Sequence, residues 1–295
     1  MNLQRTIIIL FVNLAWWLMA FLWSNQPLAL AGEVPLVYPN NWPEIRTWPA
    51  SSTLVISSKG GTLLSQGSYQ LRPIASLTKL VTALVVLDTH PNWSAEYTLK
   101  NEDQRYGNII YIYPGEVVTV KDLWVASLLA SDNTATEALI QAVGLNDEMY
   151  PQKVEELAKK LNINSDLRLI EPTGLNPDNQ ASARAMATIV NAALSQPDIQ
   201  KTLLLDKYEI ITQKGRRQLV TNTDGFIQGS VAIPDSWQIL GGKTGYLDEA
   251  GYCFAALWRN DQGEELVTVV LGAPTKEGRF TITKDLLDYI TEKYY

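Results

Sequence analysis

Apolar and polar positions alternate at the two ends of the chain and recur at helical spacing in between. Leu54-Val55-Ile56-Ser57 and Thr62-Leu63-Leu64-Ser65 flank Lys59-Gly60-Gly61, the signature of a β-hairpin. From Ile74 to about Leu205 the periodicity changes to helical, with segments at 74–87, 120–130, 133–143, 154–161 and 183–194. Thr119 and Ser182 stand where helix caps belong. Strand patterns then return: a hairpin at 208–212 and 218–221, strands at 237–240, 252–258 and 266–271, and a last helix from about Phe280 to Tyr294. This order predicts an α+β fold. A mostly antiparallel sheet is built from both chain ends, a helical region is inserted between them, and the C-terminal helix covers the sheet. A site is expected in the groove between sheet and helical region.

Two segments depart from these patterns. Arg5 precedes an apolar run from Ile7 to Trp23 that is broken only by Asn13, and Ala29-Leu30-Ala31 follows. This is the form of a secretory signal over 1–31, or of an N-terminal anchor that associates with the membrane. Export to the periplasm or another extracytoplasmic part of the cell envelope is expected. Pro35, Pro39, Pro43 and Pro49, with Trp42 and Trp48 among them, predict an extended surface linker over 32–52 ahead of a catalytic domain at 53–295.

The helix expected at 74–87 carries an anomaly. Ser76 and Lys79 are three residues apart, on one face, in a run whose only other polar members up to Leu87 are Thr78 and Thr82. A buried ammonium needs a partner or must give up its proton. Ser-x-x-Lys is common by chance, but two further motifs follow in order. Ser131-Asp132-Asn133 lies between two helices, and Lys243-Thr244-Gly245 lies at the end of a strand after Gly241-Gly242. Class A β-lactamases and penicillin-binding proteins carry this ordered set.

The surrounding residues narrow the resemblance. Gly241 to Tyr252, Tyr113-Pro114-Gly115-Glu116 and Glu171-Pro172-Thr173-Gly174-Leu175-Asn176 closely resemble the low-molecular-weight penicillin-binding proteins that act as serine D-alanyl-D-alanine carboxypeptidases. The likeness covers about Leu54 to Leu287 and implies the β-lactamase/transpeptidase-like fold. It also implies a peptidoglycan pentapeptide ending in D-Ala-D-Ala as substrate, and β-lactam antibiotics as acylating ligands. Ser76 is then the nucleophile and Lys79 its base, made usable by burial and by a neighbouring cation, Lys243. Ser131 passes a proton to the leaving amine, and Asn133 positions Lys79 and the substrate amide. Ser-Asp-Asn is equally good helix-capping chemistry, and the two roles are compatible. Lys243 and Thr244 bind the terminal carboxylate, Gly245 keeps the strand edge open, and the backbone N–H groups of Ser76 and Tyr246 form the oxyanion hole. Arg184 is a further candidate for the carboxylate.

Composition excludes other chemistry. A formal charge of −7, with no cluster of basic and aromatic residues, argues against nucleic acid as a partner. The single histidine, His90, stands at the far end of the Ser76 helix, roughly 20 Å away by helical rise, so a Ser-His-Asp triad is excluded. One cysteine and one histidine cannot build a zinc site, and no phosphate loop occurs; no cofactor is expected.

Alternatives remain. Asp132 gives the second motif a β-lactamase form, although Gly174 adds a residue to the loop that would carry a β-lactamase glutamate. Many family members carry a further β domain and a C-terminal anchor, and shorter ones include endopeptidases that cleave the D-alanyl crosslink. A penicillin sensor or a cell-wall-binding protein is the non-enzymatic reading.

Overall fold

The computed structural model describes residues 47–107 and 109–295; the expected leader at 1–31 and most of the Pro/Trp-rich stretch lie outside them. In chain order the elements are β1 (Ser52–Ser57), β2 (Thr62–Gln66), β3 (Arg72–Pro73), α1 (Thr78–Asp88), β4 (Glu96–Thr98), β5 (Val117–Thr119), α2 (Val120–Leu129), α3 (Asn133–Ala142) and α4 (Met149–Lys160). They continue with β6 (Leu167–Arg168), β7 (Gln180–Ala181), α5 (Ala183–Leu194), α6 (Pro197–Leu203), β8 (Lys207–Ile211), β9 (Arg217–Thr221), β10 (Trp237–Leu247), β11 (Gly251–Asn260), β12 (Glu265–Ala273) and α7 (Gly278–Tyr294).

The main sheet has the order β10-β11-β12-β1-β2. Its seam joins the chain ends: β1 pairs antiparallel with β12, with Thr53 opposite Val270. The central strands are buried on both faces, so β12 reads as an apolar run, Leu266 to Leu271 broken only by Thr268, rather than as an alternation. Successive residues nevertheless serve different layers. Ala255 and Leu257 pack with the helical region, whereas Phe254, Ala256 and Trp258 pack against Phe280, Leu286, Leu287 and Ile290 of α7. The expected covering helix is thus in place.

In the helical region α1 is buried nearly all round, consistent with its unbroken apolar sequence. The expected caps form: Thr119 and Asp122 make a reciprocal capping box on α2, and Ser182 Oγ accepts from Ala185 N on α5 at 3.1 Å.

The structure departs from these expectations at five points. The helix expected at 74–87 does not begin at Ile74: residues Ala75–Leu77 form a 3-10 turn, and α1 proper starts at Thr78. The glycine pair at 241–242 does not end its strand. A bulge between Ile239 and Gly241 lets β10 continue, so Lys243-Thr244-Gly245 lies inside it. Gly241 takes φ +143° there, and a β-carbon on it would lie 2.7 Å from Leu194 Cδ2. Helix α4 starts at Met149, with Pro151 tolerated in its first turn, and α6 was not anticipated. Trp48, assigned to a surface linker, is buried against Tyr289 of α7 with ring centroids 5.8 Å apart.

Candidate active site

The 3-10 turn sets Ser76 apart from the helix that follows it. Ala75 adopts φ +47°, a region that costs an ordinary residue about 1 kcal/mol or more. Ser76 is consequently half-buried while Lys79, one turn on, is fully buried. Lys79 Nζ lies 3.1 Å from Ser76 Oγ, 2.8 Å from Asn133 Oδ1 and 2.6 Å from the Thr173 carbonyl oxygen. The last two atoms can only accept, so Lys79 donates to both in either protonation state. In the neutral amine the tetrahedral position left over is the lone pair, and it faces Ser76 Oγ.

Burial lowers the Lys79 pKa to about 7, against the opposing pull of the Glu171 and Asp132 carboxylates. Lys243 is pushed well below the ordinary lysine range, first by burial and then by repulsion from Lys79 and Arg279, with Asp224 acting in the opposite sense. The sequence reading assigned the depression of Lys79 partly to Lys243. In the structure burial lowers Lys79, and it is Lys243 that bears the repulsion.

The turn between α2 and α3 supplies the second wall. Ser131 takes φ +59°, and its Oγ accepts a hydrogen bond from Lys243 Nζ at 2.9 Å. Asp132 caps α3, accepting from Ala135 N at 2.9 Å through Oδ1 and from Tyr111 N at 3.2 Å through Oδ2. Capping and site-building therefore coexist. The cap fixes the first residue of the helix, Asn133, whose Oδ1 meets Lys79 and whose Nδ2 donates to the Tyr106 carbonyl at 3.4 Å.

The free edge of β10 forms the third wall. A β-carbon on Gly245 would lie 3.0 Å from Ile74 O and 3.2 Å from Ser76 N, so a side chain there would press on the Ser76 turn and glycine eases the close approach of the strand. Thr244 Oγ1 donates to Thr223 Oγ1 at 2.6 Å. The next residue, Tyr246, is exposed and stacks on Tyr252 at 4.3 Å.

The loop 171–176 closes the back. Glu171 accepts from Thr173 N at 2.7 Å, Thr173 Oγ1 at 2.5 Å, Gly174 N at 2.7 Å, Asn176 N at 3.2 Å and Asn179 Nδ2 at 2.9 Å. Both oxygens are occupied in holding the loop, which presents the Thr173 carbonyl to Lys79. Gly174, at φ +84°, lies flat on the Ala75–Ser76 peptide; a β-carbon there would sit 2.1 Å from Ala75 O.

The structure thus gathers Ser76, Lys79, Ser131, Asn133, Lys243, Thr244, Gly245 and Tyr246 around one groove. Arg184 is not among them. It lies beside β2, the opposite edge of the sheet, with its guanidinium 4.4 Å over the Tyr69 ring and 3.2 Å from Thr62 Oγ1. The arginine that does reach β10 is Arg279, buried, with Nη1 donating to the Gly245 carbonyl at 3.2 Å. Its sequence signal was an arginine at the start of the last helix, hidden because that helix was expected to begin one residue later. His90 is exposed at the far end of α1.

Solved structures with this architecture are penicillin-binding proteins and their transpeptidase relatives. Penicillin-binding protein D2 of Listeria monocytogenes, in its ampicillin-bound form, is 27% identical with a TM-score of 0.71, over 83% of this chain and 98% of that one. The Streptomyces K15 DD-transpeptidase shares the fold at a TM-score of 0.74 and 22% identity, over 83% of this chain and 97% of that one. Within that class, residues 40–275 match the D-alanyl-D-alanine carboxypeptidase profile of peptidase family S11, and the chain belongs to that family. A D-alanyl-D-alanine carboxypeptidase of Bacillus subtilis is 26% identical over 83% of this chain and 62% of its own length. A D-alanyl-D-alanine endopeptidase of Haemophilus influenzae is 30% identical over 64% of this chain and 63% of its own. The chain thus spans less than two thirds of the length of these curated relatives.

Proposed function

We propose that the chain is a serine-type D-Ala-D-Ala carboxypeptidase acting on peptidoglycan pentapeptides and acylated by β-lactams at Ser76. The observation that carries this reading is the trio of contacts at Lys79 Nζ, with two obligate acceptors and Ser76 Oγ. Ser76 Oγ attacks the carbonyl carbon of the penultimate D-alanine while its proton passes to Lys79 Nζ. The oxyanion is held by the Ser76 and Tyr246 backbone N–H groups, a reading supported by the close approach of Gly245 to Ser76 N. As the C–N bond breaks, Ser131 gives its hydroxyl proton to the leaving amine and takes one from Lys243, its donor at 2.9 Å. Lys79 passes the proton it took from Ser76 back to Lys243, and water then hydrolyses the acyl-enzyme, one of its protons restoring the Ser76 hydroxyl. Lys243 and Thr244 bind the substrate carboxylate, and Arg279 adds a buried positive charge behind the same strand.

The endopeptidase relative from Haemophilus influenzae favours cleavage of a D-alanyl crosslink as the second reading, with the same chemistry. A β-lactamase is less well supported, because both Glu171 oxygens are spent on the loop. The chain works outside the cytoplasm on this reading, and the leader at 1–31 carries it there. Among the described residues no helix is long and apolar enough to cross a membrane.

Intact-mass analysis with penicillin and with a D-Ala-D-Ala pentapeptide tests the proposal. A stable adduct lost in Ser76→Ala, together with released D-alanine, is the expected result. An adduct with no D-alanine released refutes the carboxypeptidase, and release only from a crosslinked dimer selects the endopeptidase.

A further inference from the structure

Behind β10, on the side away from Ser76, one carboxylate is completely buried. Asp224 lies in the turn after β9 at 0% exposure. Its main chain and one oxygen are firmly placed: Asp224 N donates to Asn222 Oδ1 at 2.9 Å, and Oδ1 accepts from Phe226 N at 2.9 Å. Asn222 is pinned in turn, donating from Nδ2 to the carbonyls of Leu203 and Leu205 at 2.9 and 2.8 Å. The other oxygen, Oδ2, has no hydrogen-bond partner among the described residues. It faces β10 at Gly242, where a β-carbon would lie 2.7 Å from it. The neighbour on one side of Gly242 is Lys243, and the preceding residue of the turn, Thr223, accepts the hydroxyl of Thr244. Asp224 is therefore built into the back of the strand that carries the third motif.

An isolated buried carboxylate is costly, and its compensation here is first the backbone N–H groups of Phe226 and Ile227 and then charge. Arg279 on α7 and, to a smaller extent, Lys243, whose side chain leaves β10 on the opposite face toward Ser131, both attract it across the strand. Beyond them, Lys79 on α1 repels Lys243, while Cys253 and Tyr252 on β11 and Glu277 bear on Arg279. Among the described residues, Asp224 is the carboxylate that acts on Lys243 in the stabilising sense. With the proposed function taken as given, we infer that Asp224 is a positioning residue: acting through Lys243, its carboxylate keeps that ammonium charged and seated on Ser131, ready for the carboxylate of the substrate. Burial raises the Asp224 pKa to about 6, so the anion is present across the neutral and alkaline range in which this matters.

Removal of the anion makes the protonated form of Lys243 harder to keep, so Lys243 loses its proton at lower pH. Asp224→Asn keeps the acceptor for Phe226 N and removes only the charge. For a peptide ending in D-Ala-D-Ala, the alkaline limb of kcat/KM is expected to move down by about one pH unit, with about a tenfold rise in KM at alkaline pH and little change in kcat. A neutral thioester of the same acyl group lacks the carboxylate and should keep its wild-type profile. Should the Asn variant fold poorly, Asp224→Ser retains a turn-forming oxygen and serves as the second charge-removing variant. Superimposable profiles for wild type and variant, or equal losses on both substrates, overturn the inference. A wild-type protein that neither hydrolyses the peptide nor binds penicillin refutes the proposed function as well.

Discussion

Lys243 Nζ and Ser131 Oγ are 2.9 Å apart although 112 residues separate them in the chain. The contact joins the sheet to the helical region at the floor of the groove, and it makes Ser131 an acceptor from a cation. That polarity suits a hydroxyl that must hand its proton onward and be resupplied. Ser131→Ala should lower the acylation rate by about 10²–10⁴ while penicillin still labels Ser76, as read from the labelling time course. An unchanged rate removes Ser131 from the proton path.

The pKa of Lys79 sets a pH dependence. Burial lowers it to about 7, so the neutral amine is scarce below that pH and predominates above it. Acylation by penicillin, followed by stopped flow, should rise with pH through about 7 and level off before the alkaline loss. The sign follows from the base: the form that accepts the Ser76 proton is the unprotonated one. A rate flat from pH 5 to 8 refutes Lys79 as base.

Gly174 tests the backing loop. Its φ of +84° and the 2.1 Å approach of a β-carbon to Ala75 O leave no room for a methyl group. Gly174→Ala is expected to cost about 1–3 kcal/mol in urea denaturation from the backbone alone. It should also lower acylation, because the displaced groups are the Ser76 turn and the carbonyl that holds Lys79.

Arg184 should prove dispensable for chemistry. Its guanidinium sits over Tyr69 beside β2, so Arg184→Ala should leave KM and kcat within about twofold and cost about 0.5–1 kcal/mol of stability. A large rise in KM restores it to the carboxylate site.

Trp48→Ala should cost about 3–5 kcal/mol, the usual loss for a large aromatic ring from a core, measurable as a lower denaturation midpoint. Its ring packs on Tyr289, while its backbone N–H donates to Gln66 Oε1 at 3.0 Å and its backbone carbonyl accepts from Gln66 Nε2 at 3.1 Å, bonds the variant keeps. Activity per folded molecule should be unaffected.

Much of this was legible in the sequence for physical reasons. The hairpins, the sheet from both chain ends and the covering helix follow from periodicity and turn chemistry, which are local. The three motifs were legible because each is compact and sits at the end or inside of a recognisable element. What escaped depends on long-range contact. Nothing near Ala75 announces a positive φ; the peptide it shapes packs against Gly174, a residue almost a hundred positions on. The bulge that carries β10 through its glycine pair answers to Leu194. Arg184 and Arg279 look alike in sequence, and the order of strands in the sheet decides which one lies behind the groove. Glu171 resembles a catalytic glutamate until its five hydrogen-bond donors are counted around it.

The seam between β1 and β12 also has a consequence in time. Lys243 can be delivered to Ser131 only when β10 is docked, and β10 reaches the rest of the sheet through β11 and β12. A chain emerging from its N-terminus therefore carries Ser76 early and Lys243 late. Until the last strand has zipped onto the first, Ser76 is an ordinary alcohol. On the proposed function, competence to cut therefore depends on the pairing of the two ends of the chain.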